Sequence, residues 1–210
     1  DSRHYPRMRS DQLRLGVATL QIGDERTTLA ALQAMSTSAA SGERPVLSLE
    51  STREMAVLDA DRQSLTGDAQ AFLRCLDEAL KRSRTRELVI YVHGVNTDFD
   101  RAAAQAAQFE HFMGRNAVVL VFAWPSAATL LRYGRDVNTA RRSEPAFASL
   151  LELLARDSQA AHLNVLAYSA GAMIASPGLA RAADRSAGPD VMRLGEIYYA
   201  KAFAIRRRGT

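Results

Sequence analysis

The sequence holds a single cysteine, Cys75, which excludes an internal disulfide framework and any zinc site built from several thiolates. No apolar run approaches the roughly 20 residues needed to cross a bilayer, and the first residues lack the charged-then-apolar order of a secretory signal. Aromatic residues are sparse, at 7%, and none are interleaved with basic residues in a nucleic-acid motif. The excess of positive charge is small, +4 at pH 7, and sits at the two ends, in Arg3, Arg7 and Arg9 and in Arg206, Arg207 and Arg208. Between them the signs alternate, so the basic residues read as solvated tails and no nucleic-acid partner is expected. What remains is 210 residues, 47% hydrophobic and 24% charged, the profile of one soluble globular domain with a sizeable core.

The opening third reads as β-rich. Residues 12 to 22 alternate, with Leu13, Leu15, Val17, Thr19 and Gln21 on one face, which predicts a strand. Gly23 to Gly42 reads either as a long loop or as a short weak helix, and Pro45 to Leu49 and Met55 to Leu58 as two short strands. From residue 68 the pattern changes. Asp68 is the expected N-cap of a helix to about Arg82, because Phe72, Leu73, Leu76 and Leu80 recur at helical spacing. Cys75 falls inside it and reads as a small buried or half-buried side chain rather than a nucleophile.

Three apolar runs, Leu88 to Val92, Ala117 to Phe122 and Leu163 to Tyr168, predict strands covered on both faces. Between the first two lies a helix capped by Thr97 or Asp98, Ala-rich to Phe112 and stopped by Gly114. Between the second and third, Ala127 to about Arg142 reads as helical, and Ser143-Glu-Pro145 as a reset with Ser143 the N-cap of a further helix. Alternation at this spacing predicts right-handed β-α-β units: an α/β fold, a mainly parallel sheet with helices on both faces. The whole chain, 1–210, is expected to be one domain, with residues 1–67 a β-rich portion and 68–210 the core.

The third run leads into Ala167-Tyr-Ser-Ala-Gly171 and then helix-compatible residues. This pattern resembles the nucleophile elbow G-x-S-x-G with alanine in the first glycine position: a strand turns sharply into a helix, a serine is held in a strained conformation, and its neighbours must be small. A bare A-x-S-x-G also arises in ordinary loops; the buried strand before it and the helix after it favour Ser169 as a nucleophile. Acyl transfer also needs two N–H groups aimed at a developing oxyanion, one from the residue after the serine and one from the loop after an early strand. Val92-His-Gly-Val-Asn96 fits that loop. The expected donors are Ala170 and Val95, with His93, Gly94 and Asn96 supporting the loop and His93 read as structural rather than as a general base.

Taken in order, Glu87 to Thr97, Val121 to Ser126 and Leu166 to Gly171 resemble a bacterial branch of the α/β-hydrolase superfamily known mainly as a domain of unknown function. The similarity extends upstream to Tyr5–Gly23 and downstream to Leu194–Ala200. It implies a serine hydrolase acting on small-molecule esters or lipid-like acyl groups, with no metal and no organic cofactor. Members often carry a lipoprotein or membrane-targeting segment, so a lost N-terminal segment with membrane association, and a place in the cell envelope or periplasm, are expectations alongside a cytoplasmic one.

A hydrolase of this type places an acid and a histidine after the nucleophile, yet none of the four histidines follows Ser169. His162 opens the strand that ends near Ser169, roughly 20 Å away at about 3.3 Å per residue. In the resembled family the last strand runs into an aspartate; here Ala200 is followed by Lys201-Ala-Phe-Ala and the arginine run. Asp184 and Asp190 are candidates for the acid by elimination only. Pro177-Gly178 is expected to interrupt the helix after the nucleophile. The catalytic histidine and aspartate are therefore not found in the chain, and a C-terminal truncation is expected. A non-catalytic scaffold or binding protein on the same fold is the alternative reading.

Overall fold

The computed structural model describes residues 12–37, 46–59, 66–126, 133–186 and 191–200. The β-rich opening is an antiparallel ribbon of β1 (Gln12–Ile22) and β2 (Leu47–Asp59). The two short strands expected around residues 45–58 are thus one. The polar residues Ser51 to Glu54 read as a break, but a ribbon with a solvated face accepts them, and Arg14 pairs across the strands with Glu54 at 2.9 Å. The undecided stretch after Gly23 contains a short helix, α1 (Leu29–Thr37).

Helix α2 (Gly67–Arg82) buries Phe72, Leu73, Leu76 and Leu80. Its cap is Thr66, whose side chain accepts from the Ala69 N–H, rather than Asp68, which falls in the first turn and suits the helix dipole there. Cys75 is exposed, not buried or half-buried, because it lies off the stripe formed by residues 72, 73, 76 and 80.

The core is a four-stranded sheet of β3 (Leu88–Val92), β4 (Val118–Phe122), β5 (Leu163–Tyr168) and β6 (Leu194–Ala200), all parallel, in the order β4-β3-β5-β6. β3 and β5 are interior, with Leu88, Ile90, Val92, Leu163, Val165 and Ala167 fully buried. β4 is only half-buried along most of its length, less than its apolar run suggests, because among the described residues it has a hydrogen-bonded neighbour on one side alone.

Three helices connect these strands: α3 (Phe99–Phe112), α4 (Tyr133–Asp157) and α5 (Ala172–Arg185). Asp98 caps α3 by accepting from the Arg101 N–H at 2.9 Å, and Gly114 adopts the positive φ of +67° that ends it. Two expected breaks do not occur. α4 passes through Pro145 without a reset, and Ser143, far from capping, donates its hydroxyl to the Thr139 carbonyl one turn back at 3.0 Å. α5 passes through Pro177 to Arg185. Each proline costs a helical hydrogen bond, but Arg141, whose carbonyl Pro145 orphans, and Arg142 are exposed, and α4 and α5 pack against each other. Gly178 of α5 lies against Phe147 of α4, Phe147, Ala148, Leu151, Ile174, Ala175, Leu179 and Ala182 of the two helices are buried, and that burial outweighs the local penalty. No helix among the described residues is long and apolar enough to cross a membrane.

The strand order fixes where a site can lie. From β3 the chain leaves to β4 on one side, and β5 returns on the other. Open α/β sheets bind ligands in the crevice beyond the carboxyl ends of strands at such a switch point.

Candidate active site

At that switch point, Val92 pairs with Ala167, so the loop leaving β3 and the turn leaving β5 emerge side by side. Ser169 sits on the turn with φ +53°, following the extended Tyr168 and opening a 3₁₀ turn, Ser169–Gly171, that runs into α5. A left-handed non-glycine residue costs about 1–3 kcal/mol and persists only where its surroundings impose it. Gly171 is the chief constraint: a Cβ there would lie 2.4 Å from the Val92 carbonyl oxygen and 2.8 Å from that of His93. Across the gap, a Cβ on Gly94 would meet the Tyr168 ring at 3.0 Å and the Ser169 Cβ at 3.2 Å. The small residues at 94, 170 and 171 therefore let the two segments approach. Ala167, where an elbow of this kind carries its first glycine, is buried in β5, and its side chain is accommodated there.

The β3 loop carries a second left-handed residue, Asn96, with φ +57°, which turns the chain between Val95 and Thr97. The Ala170 N–H lies in the first turn of its 3₁₀ segment, where an N–H has no partner within its own helix. The Val95 N–H has no hydrogen-bond partner among the described residues. Among the described residues both N–H groups are thus unpaired at the mouth of the switch point.

His93 is 1% exposed and joins this loop to the segment after β4. Its Nδ1 lies 2.8 Å from the Gly94 carbonyl and its Nε2 accepts the Trp124 N–H at 3.1 Å, while the Trp124 indole N–H donates to the His93 carbonyl at 2.7 Å. The two rings stack, 7° from parallel with centroids 5.3 Å apart. Burial pulls the imidazole pKa down to about 4, against the smaller upward pull of its contacts with Gly94 and Trp124. The Nδ1-protonated neutral tautomer satisfies both ring contacts. Two residues after Trp124, the Ser126 hydroxyl donates to the Thr97 carbonyl at 2.6 Å and accepts the Thr97 N–H at 3.2 Å. Trp124-Pro-Ser126 is therefore a strap across the β3 loop. The sequence reading used these residues only for a family likeness and gave them no role; the signal was an aromatic-proline-hydroxyl triplet directly after a core strand.

The other histidines and the acid candidates are not gathered at this point. His111 is exposed at the end of α3. His162 lies before β5, with Nδ1 3.9 Å from Glu87, at the opposite end of the strand from Ser169. Asp184 is exposed near the far end of α5, about 20 Å along the helix from Ser169 at 1.5 Å per residue. His4 and Asp190 lie outside the described residues. Among the described residues no imidazole or carboxylate hydrogen-bonds the Ser169 hydroxyl, and no cluster of metal-ligating side chains occurs.

A trough of about 1150 Å³ lies beyond the strap, between β1 and the edge of β4 that has no strand neighbour among the described residues. Leu13, Leu15, Phe72, Leu120, Phe122 and Trp124 are in its lining. The candidate nucleophile is the strained Ser169, which is not in the lining of this trough.

The family model described as "Alpha/beta hydrolase of unknown function (DUF900)" matches residues 68–200. The chain belongs to this family. The matched stretch runs from the first turn of α2 to the last residue of β6. This α/β-hydrolase region thus contains the entire sheet, the strap and the Ser169 turn, while the β1–β2 ribbon lies ahead of it. No curated protein and no solved structure matches the chain.

Proposed function

We propose that the protein is a serine hydrolase that cleaves small-molecule esters or lipid-like acyl substrates through Ser169. One observation carries this reading: a serine held at φ +53° on a strand-to-helix turn, beside a loop whose Val95 N–H has no partner among the described residues, at the switch point of a parallel sheet. In the reaction the Ser169 hydroxyl oxygen bonds to the carbonyl carbon and the carbonyl π pair moves onto oxygen, where the Val95 and Ala170 N–H groups receive it. The hydroxyl proton passes to water, since no described imidazole or carboxylate reaches it, and water supplies the proton that the departing alkoxide takes up. Collapse of the tetrahedral species expels the alkoxide, which takes a proton, and water then releases the acyl group from Ser169. Val95, Gly94 and Ala170 present no charge to the carbonyl, which supports a neutral ester as substrate. A fluorophosphonate probe on the full-length protein tests this directly. Labelling that disappears in Ser169→Ala is expected; absence of label, or label that survives the substitution, overturns it.

One observation favours a second reading, a non-catalytic scaffold on the same fold: no described imidazole or carboxylate reaches the Ser169 hydroxyl, and an unassisted serine is a weak nucleophile. Ester turnover abolished by Ser169→Ala would dismiss it.

A further inference from the structure

We infer that Ser126 and Trp124 are positioning residues for acyl transfer, holding the β3 loop so that the Val95 N–H converges with that of Ala170. The inference rests on Ser169 being the nucleophile. Its basis is the way the strap grips the loop at both ends and leaves the middle untouched. At one end, Trp124 binds the backbone oxygen and ring nitrogen of His93 and stacks on its imidazole. At the other, the Ser126 hydroxyl closes on both the N–H and the carbonyl of Thr97. Gly94, Val95 and Asn96 span the interval, with Asn96 left-handed, and the Val95 N–H stays unpaired among the described residues.

All four gripping residues are buried: His93 at 1%, Trp124 at 3%, Thr97 and Ser126 at 7% exposure. Water therefore does not readily substitute for the lost contacts, and a released Thr97 N–H would be a buried unpaired donor. The loop would shift to satisfy it, carrying Val95 with it. Oxyanion donors are sensitive to such shifts: a displacement of about 1 Å costs on the order of 100-fold in rate. Trp124 and Ser126 sit on the β4 side of the loop and Ser169 on the β5 side, so the strap acts on the reaction through the loop.

The test compares the full-length protein with Ser126→Ala, Ser126→Thr and Trp124→Phe. Fluorophosphonate inactivation is resolved into its rate constant and its binding constant, and amide hydrogen exchange is followed across residues 93–97. Expected is a roughly 10- to 100-fold slower inactivation step in Ser126→Ala with little change in binding, faster exchange at Thr97, and recovery of both in Ser126→Thr, which restores a hydroxyl. Trp124→Phe keeps a ring to stack but loses the indole donor, and should accelerate exchange near His93. Exchange across 93–97 that is unchanged in both Ser126→Ala and Trp124→Phe overturns the inference whatever the labelling shows. So does faster exchange with inactivation at the unsubstituted rate. A protein that fails to label before any substitution overturns the nucleophile assignment, and the positioning role with it, while an altered exchange pattern would still report the strap's grip on the loop.

Discussion

Two glycines that face each other across the candidate site differ in what they can tolerate. A Cβ on Gly171 would press on backbone oxygens of Val92 and His93, 2.4 and 2.8 Å away; these are buried backbone at the end of β3 and in the strapped loop after it, and cannot swing aside as a side chain can. A Cβ on Gly94 would meet chiefly the Tyr168 ring at 3.0 Å, whose edge can give by a few tenths of an ångström. Neither glycine has a positive φ, so the penalty is steric rather than conformational. Gly171→Ala should lose about 1–3 kcal/mol of stability, read as a lower urea midpoint, and should slow labelling of Ser169, because the turn must lift away from β3. Gly94→Ala should lose less than half as much. Equal losses would mean that the close approach of the two segments is not what holds Ser169 in its left-handed conformation. The sequence announced this geometry through the small residues flanking Ser169, since only a tight strand-to-helix turn requires them. It was silent about the strap, because hydrogen bonds between Trp124 and His93 and between Ser126 and Thr97 join positions 31 and 29 residues apart.

At the level of elements, local rules located the strands and helices but misjudged where they end. Pro145 was read as the first turn of a new helix and Pro177 as an interruption, and both lie inside continuous helices, because tertiary burial between α4 and α5 exceeds what a lost backbone bond costs. The cap of α2 and the continuity of β2 failed for related reasons: a hydroxyl two residues earlier competes for the cap, and a solvated ribbon face needs no apolar alternation. Arg193 shows the same limit. It has φ +50° and sends Nη2 to the carbonyls of Leu154, Ala155 and Ser158, 2.5–3.1 Å away, so that it closes the C-terminal end of α4. No local pattern identifies such a residue.

The α4–α5 contact also yields a prediction of unusual sign. Alanine is intrinsically favoured over glycine in a helix by about 1 kcal/mol, so Gly178→Ala would ordinarily stabilise α5. Here the added Cβ would lie 2.7 Å from Cδ1 of Phe147, a fully buried ring that also packs edge-on against Phe122. Gly178→Ala should therefore destabilise by about 1–2 kcal/mol, measured by chemical unfolding. Stabilisation would show that α5 is free to move away from α4.

For the molecule as a whole, alternation of strands and helices was enough to give the α/β class, but not the order β4-β3-β5-β6, which depends on how far each crossover travels. That order puts His93 at the C-terminal edge of an interior strand, beneath the strap, and so makes its protonation a property of the fold. Its pKa is about 4 in the folded protein against 6.5 for an ordinary imidazole, mainly because burial disfavours the charged form. The unfolded chain consequently binds the proton first as pH falls. The neutral imidazole's contribution is present in full above about pH 6.5, declines from there to about pH 4, and does not fall further below that. The difference corresponds to about 3 kcal/mol across the interval. Glu110, whose pKa burial raises, acts in the opposite sense, its contribution being present at low pH and lost as pH rises through its folded pKa. The His93 share is therefore best isolated by comparison with a variant lacking the imidazole. In urea unfolding between pH 7 and pH 4, His93→Asn should start less stable at pH 7, because Asn cannot span both the Gly94 carbonyl and the Trp124 N–H. Its stability should also change less with falling pH than that of the unsubstituted protein, so that the two curves converge. Parallel curves would mean that water reaches His93 when it is protonated, and that the junction between the β3 loop and the strap is not the sealed contact its 1% exposure indicates.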